Sequence, residues 1–323
     1  MELVAYFEQF LKDEVNLNQN RIDTLNQKKI TLTNFIKNSD EFKDLFISMK
    51  TQGSLAQKTI IKPANGSKEF DADFLLLLKE NEDWEPKNYI NELYNLFRSS
   101  STYKDIVHRN KRCVLIDYAG DFHIDIVPCI VTDSDYLICN RTENTFEIDK
   151  PLEFKEWFFD KHNDSYKSLI KSVRLFKYLR DIKVSFTIKS ILLNTLLGNE
   201  VGSFELKSGF KNIPTSFYTL FDRLNTYLQN NSYLPTVPNP VLSEENLAER
   251  NWDQTKYNNF RNQIKSYLEK VKDAYEETDK KESVKKWKIV FGEKFPSELK
   301  ESKTNQSIAA IASLAPEPYA SKL

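Results

Sequence analysis

Three aspartates carry the chemical promise of this sequence: Asp71 and Asp73, separated by Ala72, and Asp125 in a later apolar run. Alternation along a strand sends Asp71 and Asp73 to one face while Ala72 and Phe74 turn to the other. Two carboxylates held that close, at the head of Phe74-Leu75-Leu76-Leu77-Leu78, repel each other, and burial raises the cost unless a cation lies between them. Asp125 stands within His123-Ile124-Asp125-Ile126-Val127, where a charge is equally misplaced unless a neighbouring strand brings it beside the first pair. Hard oxygen donors of this kind suit Mg²⁺ or Mn²⁺, held in part by substrate phosphates. Asp117 and Asp121 are rivals for the third position, and apolar neighbours on both sides favour Asp125. His123 shares the strand face of Asp125 and either lines the site or packs beside it.

Gly53-Ser54 supplies the other half of such a site. Glycine lets backbone N–H groups approach a phosphate, and the serine hydroxyl adds a donor. Alone, the pair reads as a turn or cap. Its weight comes from lying 18 residues ahead of Asp71 at the start of a buried strand.

The elements that must position these residues follow from periodicity. Phe70–Leu78, Cys113–Tyr118 and Phe122–Val131 are short runs rich in branched and aromatic residues, which read as buried strands, with Ala119-Gly120-Asp121 turning the last two into a hairpin. Pro86, followed by Tyr89, Ile90, Leu93, Leu96 and Phe97, predicts an amphipathic helix. The opening stretch to Lys37 has helical spacing broken at Asn16–Asn20, and the segment with Phe42, Leu45 and Phe46 also reads as helical. Beyond Lys150 helical periodicity dominates, around Leu169–Leu179, Ile188–Leu197, Phe217–Leu228, Tyr257–Tyr275 and Val284–Val290. Tyr233–Pro240 is a proline-rich extended connector.

Composition narrows the classes. The 323 residues, 40% apolar and 29% charged, suffice for one elongated domain or two lobes. Lys plus Arg at 46 against Asp plus Glu at 47 leaves a net charge of −1, so no overall field draws the chain to nucleic acid or an anionic membrane. Three cysteines and three histidines fit no zinc-finger spacing and give no disulfide framework, which predicts a reducing compartment. With no secretory h-region and no spanning apolar run, the expectation is a cytoplasmic protein.

Gly-Ser, Asp-x-Asp and a third strand aspartate form the pattern of DNA polymerase β-like nucleotidyltransferases. Lys58-Thr59 with Pro63, His123–Pro128, Arg174–Leu179, Pro235–Ala248 and Trp287–Pro296 narrow the match. Together they resemble the bacterial cGAS/DncV-like nucleotidyltransferases, which synthesise cyclic di- or trinucleotides in antiphage signalling, over residues 40 to 300. The resemblance implies a bilobed α/β (α+β) fold with a mixed curved sheet and a helical second lobe. Residues 1–150 would form the catalytic lobe with long N-terminal helices, 151–301 the helical lobe, and 302–323 a flexible tail. It further implies two-metal phosphoryl transfer with Mg²⁺ or Mn²⁺ on Asp71, Asp73 and Asp125. Gly53, Ser54, Lys177 and Ser190 would hold the donor triphosphate, and Arg174, one turn before Lys177, could reach the same anion. Ile191 stands where the family often stacks an aromatic on a base.

Expected partners are nucleoside triphosphates, ATP or GTP first and pyrimidines as alternatives. Long DNA is not expected, nor a membrane. The tail is a possible handle for a partner enzyme, and the terminal Ser321-Lys322-Leu323 is read as chance. A monomer is expected. The rival readings are a nucleotidyltransferase acting on RNA, protein or a small molecule, and a nucleotide-binding module without catalysis.

Overall fold

The computed structural model describes residues 1–64, 69–120, 122–133 and 135–300. Asp121 and the 302–323 tail therefore lie outside the described residues. Among the described residues seven strands form one sheet: β1 (Phe46–Gln52), β2 (Phe70–Leu78), β3 (Val107–Arg109), β4 (Val114–Tyr118), β5 (Phe122–Val131), β6 (Tyr136–Asn140) and β7 (Thr145–Asp149). Their order is β1-β2-β5-β4-β3, with β6 continuing from β5 and β7 from β6. Only the central pair β2 and β5 is parallel. Central position explains the near-continuous apolar runs of these two strands, which have neighbours on either side and covered faces.

A parallel pair needs a crossover, and here it includes the helix Pro86–Ser99. Pro86 starts it, Glu85 and Asn88 cap it reciprocally, and Tyr89, Ile90, Leu93 and Phe97 are buried along one stripe. Each such side chain, fully buried, contributes about 1.5–3 kcal/mol. A second long helix, Gln19–Lys37, is capped by Asn18 and sets Leu25, Leu32 and Ile36 into the same core.

The second half is helical: Pro151–Asp164, Leu169–Lys183, Ser190–Asn199, Ile213–Asn230, Gln254–Glu276 and Lys280–Phe291. Pro238–Asn239 pairs with Leu242–Asn246 in a small ribbon, so the proline-rich connector is extended and ends in a strand. Aromatic rings dominate this core, with Phe217, Trp287, Phe291 and Phe295 among the buried residues. The first helix, Val4–Phe10, packs here and not on the sheet: Phe7 meets Trp287 edge-on at 4.8 Å, and Phe10 meets Tyr178 at 5.0 Å. The chain breaks at Asn16–Asn18 and only then crosses to the sheet, so the two opening helices serve different cores.

The segment around Phe42–Phe46 differs from its helical reading. Helical hydrogen bonds run only to Phe46 N→Phe42 O, and β1 begins at that residue. β1 is an edge strand in which only Met49 is fully buried, so its period-two signal is faint. No helix of the described residues is long and apolar enough to cross a membrane.

Candidate active site

Strand register gathers the carboxylates. Asp73 on β2 lies opposite Asp125 on β5, and Asp71 lies opposite His123. On the other side of β2, Gln52 at the end of β1 faces Asp73, which delivers the Gly53-Ser54 turn to the same spot. Gly53 has φ +58°, and a Cβ there would fall 2.5 Å from Asp73 Oδ2. Both the left-handed backbone and the close approach demand glycine. All seven residues singled out from the sequence, Gly53, Ser54, Asp71, Asp73, Asp125, Lys177 and Ser190, line one groove of about 580 Å³ between the sheet and the helices.

The electrostatics are those of an unneutralised anionic cluster. Asp73 is half-buried and has no hydrogen-bond partner among the described residues; burial, then the charges of Asp125 and Asp71, push it up to about 6, against a small opposing pull from Lys177. Burial also raises Asp125, offset in part by the thiol of Cys113, which donates to Asp125 Oδ1 at 3.2 Å. Asp71 is exposed and lies 3.3 Å from His123 Nδ1. Asp117, the rival ligand, sits on the far side of that imidazole, 3.4 Å from Nε2, and does not line the groove. Among the described residues no three His, Cys, Asp or Glu side chains close around a common point as a metal cage. Two of the three carboxylates have hydrogen-bond partners, Asp71 in His123 and Asp125 in Cys113. The donor set itself, carboxylate oxygens around a half-buried Asp73 with no hydrogen-bond partner among the described residues, fits a hard divalent cation such as Mg²⁺ or Mn²⁺.

Lys177 is no solvated surface lysine. It lies on the helix Leu169–Lys183, is 2% exposed, and donates to Thr59 Oγ1 at 2.9 Å. Burial, then Arg180, lowers it to about 7, with Asp181 and Asp73 opposing. Thr59 is held in turn by the Gly-Ser turn, donating its backbone N–H to Ser54 O at 2.8 Å. Ser190 begins the helix Ser190–Asn199 at the groove's edge, followed by Ile191.

Arg174 does not join this group. Its Nε donates to Lys58 O and its Nη1 to Asn16 Oδ1, both at 2.8 Å, and it is absent from the groove lining. Those bonds clasp a junction where Asn16 bridges to Ile61 and Lys62 N donates to Val15 O. The groove takes Arg180 instead, one turn after Lys177 and paired with Asp181 at 2.8 Å. Sequence spacing admits both arginines, since residues three before and three after Lys177 share its helix face. Thr59, Arg180, Asp181 and Lys189 line the groove without having been singled out for it.

The fold is shared with known proteins. A solved structure of Vibrio cholerae DncV cyclic AMP-GMP synthase superposes with a TM-score of 0.75 at 15% identity, covering 92% of this chain and 98% of that one. That of E. coli MS115-1 CdnC with ATP gives 0.72 at 19% identity, covering 91% and 98%. These likenesses define the fold as that of a cGAS/DncV-like nucleotidyltransferase. Residues 1–163, half of the chain, match the family described as the Second Messenger Oligonucleotide or Dinucleotide Synthetase domain, and the chain belongs to that family. It is a nucleotidyltransferase that synthesises cyclic oligonucleotides. A c-di-GMP synthase of Roseivirga ehrenbergii is 27% identical over 274 residues, covering 74% of this chain and 70% of the relative.

Proposed function

We propose that this enzyme joins two guanine nucleotides, with release of pyrophosphate, into a cyclic dinucleotide that serves as a second messenger in antiphage signalling in the cytoplasm. The observation that carries the reading is the in-register pair Asp73 and Asp125, with Asp71 two residues away and Gly53-Ser54 and Lys177 on the same groove. In this reading Asp71, Asp73 and Asp125 are the catalytic carboxylates and hold Mg²⁺ or Mn²⁺. Such ions, when bound, supply charge neutralisation for the attacking hydroxyl and the departing pyrophosphate. The remaining work belongs to the protein. Gly53 opens the backbone to the donor triphosphate, Ser54 and Ser190 donate hydroxyls, and Lys177, lowered to about 7 by burial, is drawn into its charged form by the triphosphate it meets.

Guanine is favoured by two observations. The Roseivirga relative is a c-di-GMP synthase. The groove is lined by Arg180 and Asp181, a donor beside a carboxylate acceptor, which suits guanine, whose O6 accepts and whose N1–H and N2–H donate. The sheet half and the helical half, the latter including the opening helix Val4–Phe10, act as the two lobes that present these groups to each other. The test incubates the protein with each radiolabelled NTP and with all four, in Mg²⁺ and in Mn²⁺. A phosphatase-resistant product that mass spectrometry identifies as cyclic di-GMP supports the reading. A product with other bases sinks the guanine assignment, and transfer of label to RNA or protein sinks cyclisation.

A further inference from the structure

Asp125 must present an oxygen to the groove from a strand buried among apolar residues, and its neighbour across the sheet determines how. β4 runs antiparallel to β5 with Leu115 opposite Asp125. Cys113 lies two residues before Leu115, so alternation puts its side chain on the same face as the carboxylate. Its Sγ lies 3.2 Å from Asp125 Oδ1, and the residue is only 9% exposed, which leaves little room for water to take over the contact. The thiol is braced from behind: Asn110 Nδ2 approaches Sγ at 3.6 Å, Asn110 N donates to Cys113 O at 2.9 Å, and Arg141 Nε donates to Asn110 O at 3.2 Å. With the Asn110 amide directed at the sulfur, the S–H hydrogen is left for Asp125. Cys129 and Cys139 are also buried, yet among the described residues neither has a carboxylate as its hydrogen-bond partner.

We propose that Cys113 is a positioning residue for Asp125: its thiol ties one carboxylate oxygen down and leaves the other free to meet a divalent cation in the groove. The inference rests on the carboxylate reading of the site given above. Partners that orient a metal-bound carboxylate typically contribute 10–100-fold to metal affinity. Cys113→Val keeps volume and apolarity and removes the donor, while Cys113→Ser keeps a donor. Mn²⁺ binding to the full chain, followed by the paramagnetic resonance signal of free Mn²⁺, is to weaken about 10-fold in Cys113→Val and to stay within about 3-fold of wild type in Cys113→Ser. On an Asp125→Asn background Cys113→Val is to have no additional effect, because the anchored group is gone. Wild-type Mn²⁺ affinity in Cys113→Val overturns the proposal, as does a weakening that persists undiminished beside Asp125→Asn, which marks mere packing. Should Cys113→Val lose its native circular dichroism, Cys113→Ala carries the same cycle. If Asp125→Asn alone leaves Mn²⁺ binding unchanged, the carboxylate reading fails and takes this inference with it; dependence on Asp125 without dependence on Cys113 sinks only the latter.

Discussion

Under the proposed metal-binding reading, the aspartate cluster should burden the protein when no cation is supplied, and Asp73→Asn measures that burden. Asp73 is raised from 3.8 to about 6 in the folded chain, by burial first and by Asp125 and Asp71 next. The difference corresponds to about 3 kcal/mol of destabilisation once both folded and unfolded forms are ionised. The sign follows from proton counting: between pH of about 4 and 6 the folded state binds more protons than the unfolded one. The aspartate's penalty is therefore absent in acid and fully present above pH 6. Asparagine removes the charge but brings an amide with no donor or acceptor waiting for it, which returns about half of the gain. In EDTA at pH 7.5, Asp73→Asn should be more stable than wild type by about 1–2 kcal/mol, a rise in melting temperature of about 1.5–3 °C for a chain of this size. At pH 4, where most of the charge penalty is gone and the unpartnered amide remains, the variant should melt slightly below wild type, by about 1 kcal/mol. Mg²⁺ should raise the melting temperature of wild type and leave the variant unmoved, and product synthesis should vanish in the variant. A variant that melts below wild type in EDTA at pH 7.5 would refute the reasoning, since it would mean that Asp73 has a stabilising partner and a structural task.

Two further outcomes test other parts of the site and scaffold. Gly53→Ala places a Cβ 2.5 Å from Asp73 Oδ2 on a backbone of φ +58°, so it should cost about 1–3 kcal/mol in thermal unfolding and abolish synthesis together. His162, half-buried, accepts from Ile170 N at 3.3 Å and is lowered to about 4 by burial and then by Lys167, Lys58, Lys171 and Arg174. The unfolded state thus binds more protons between pH of about 6.5 and 4, and stability is lost as pH falls through that window. The ceiling is about 3 kcal/mol, reduced by solvent screening to about 1–1.5 kcal/mol. Melting curves of wild type and His162→Gln from pH 7 to 4 should converge by that amount; parallel curves would exclude the imidazole.

The sequence made the sheet side of the site legible because charge inside an apolar strand is conspicuous. Asp71, Asp73 and Asp125 stand out against their leucines and isoleucines, and strand alternation already puts the first two on one face. Register across β2 and β5 was not written there, and it is what pairs Asp73 with Asp125. Groups that act across the groove were harder to find. Thr59 and Lys177 meet although 118 positions apart, and a buried lysine looks, in one dimension, like any basic residue on an amphipathic helix. The choice of Arg180 over Arg174 depends on where Lys58 and Asn16 run, which no periodicity encodes. Cys113 spoke only of redox compartment until β4 brought it to Asp125. Edge strand β1 was faint for a similar reason, since exposure on an edge erases alternation.

The junction clasped by Arg174 ties the amino-terminal segment to the rim of the groove. Val15 and Asn16 are stitched to Ile61 and Lys62, directly behind the stretch that walls the groove. Trimming the first fifteen residues would thus do more than shorten a peripheral arm: it would strip an aromatic wedge from one half of the molecule and unfasten the rim of the cleft in the other. Engineered fusions and truncations at this end belong among changes to the reaction chamber itself.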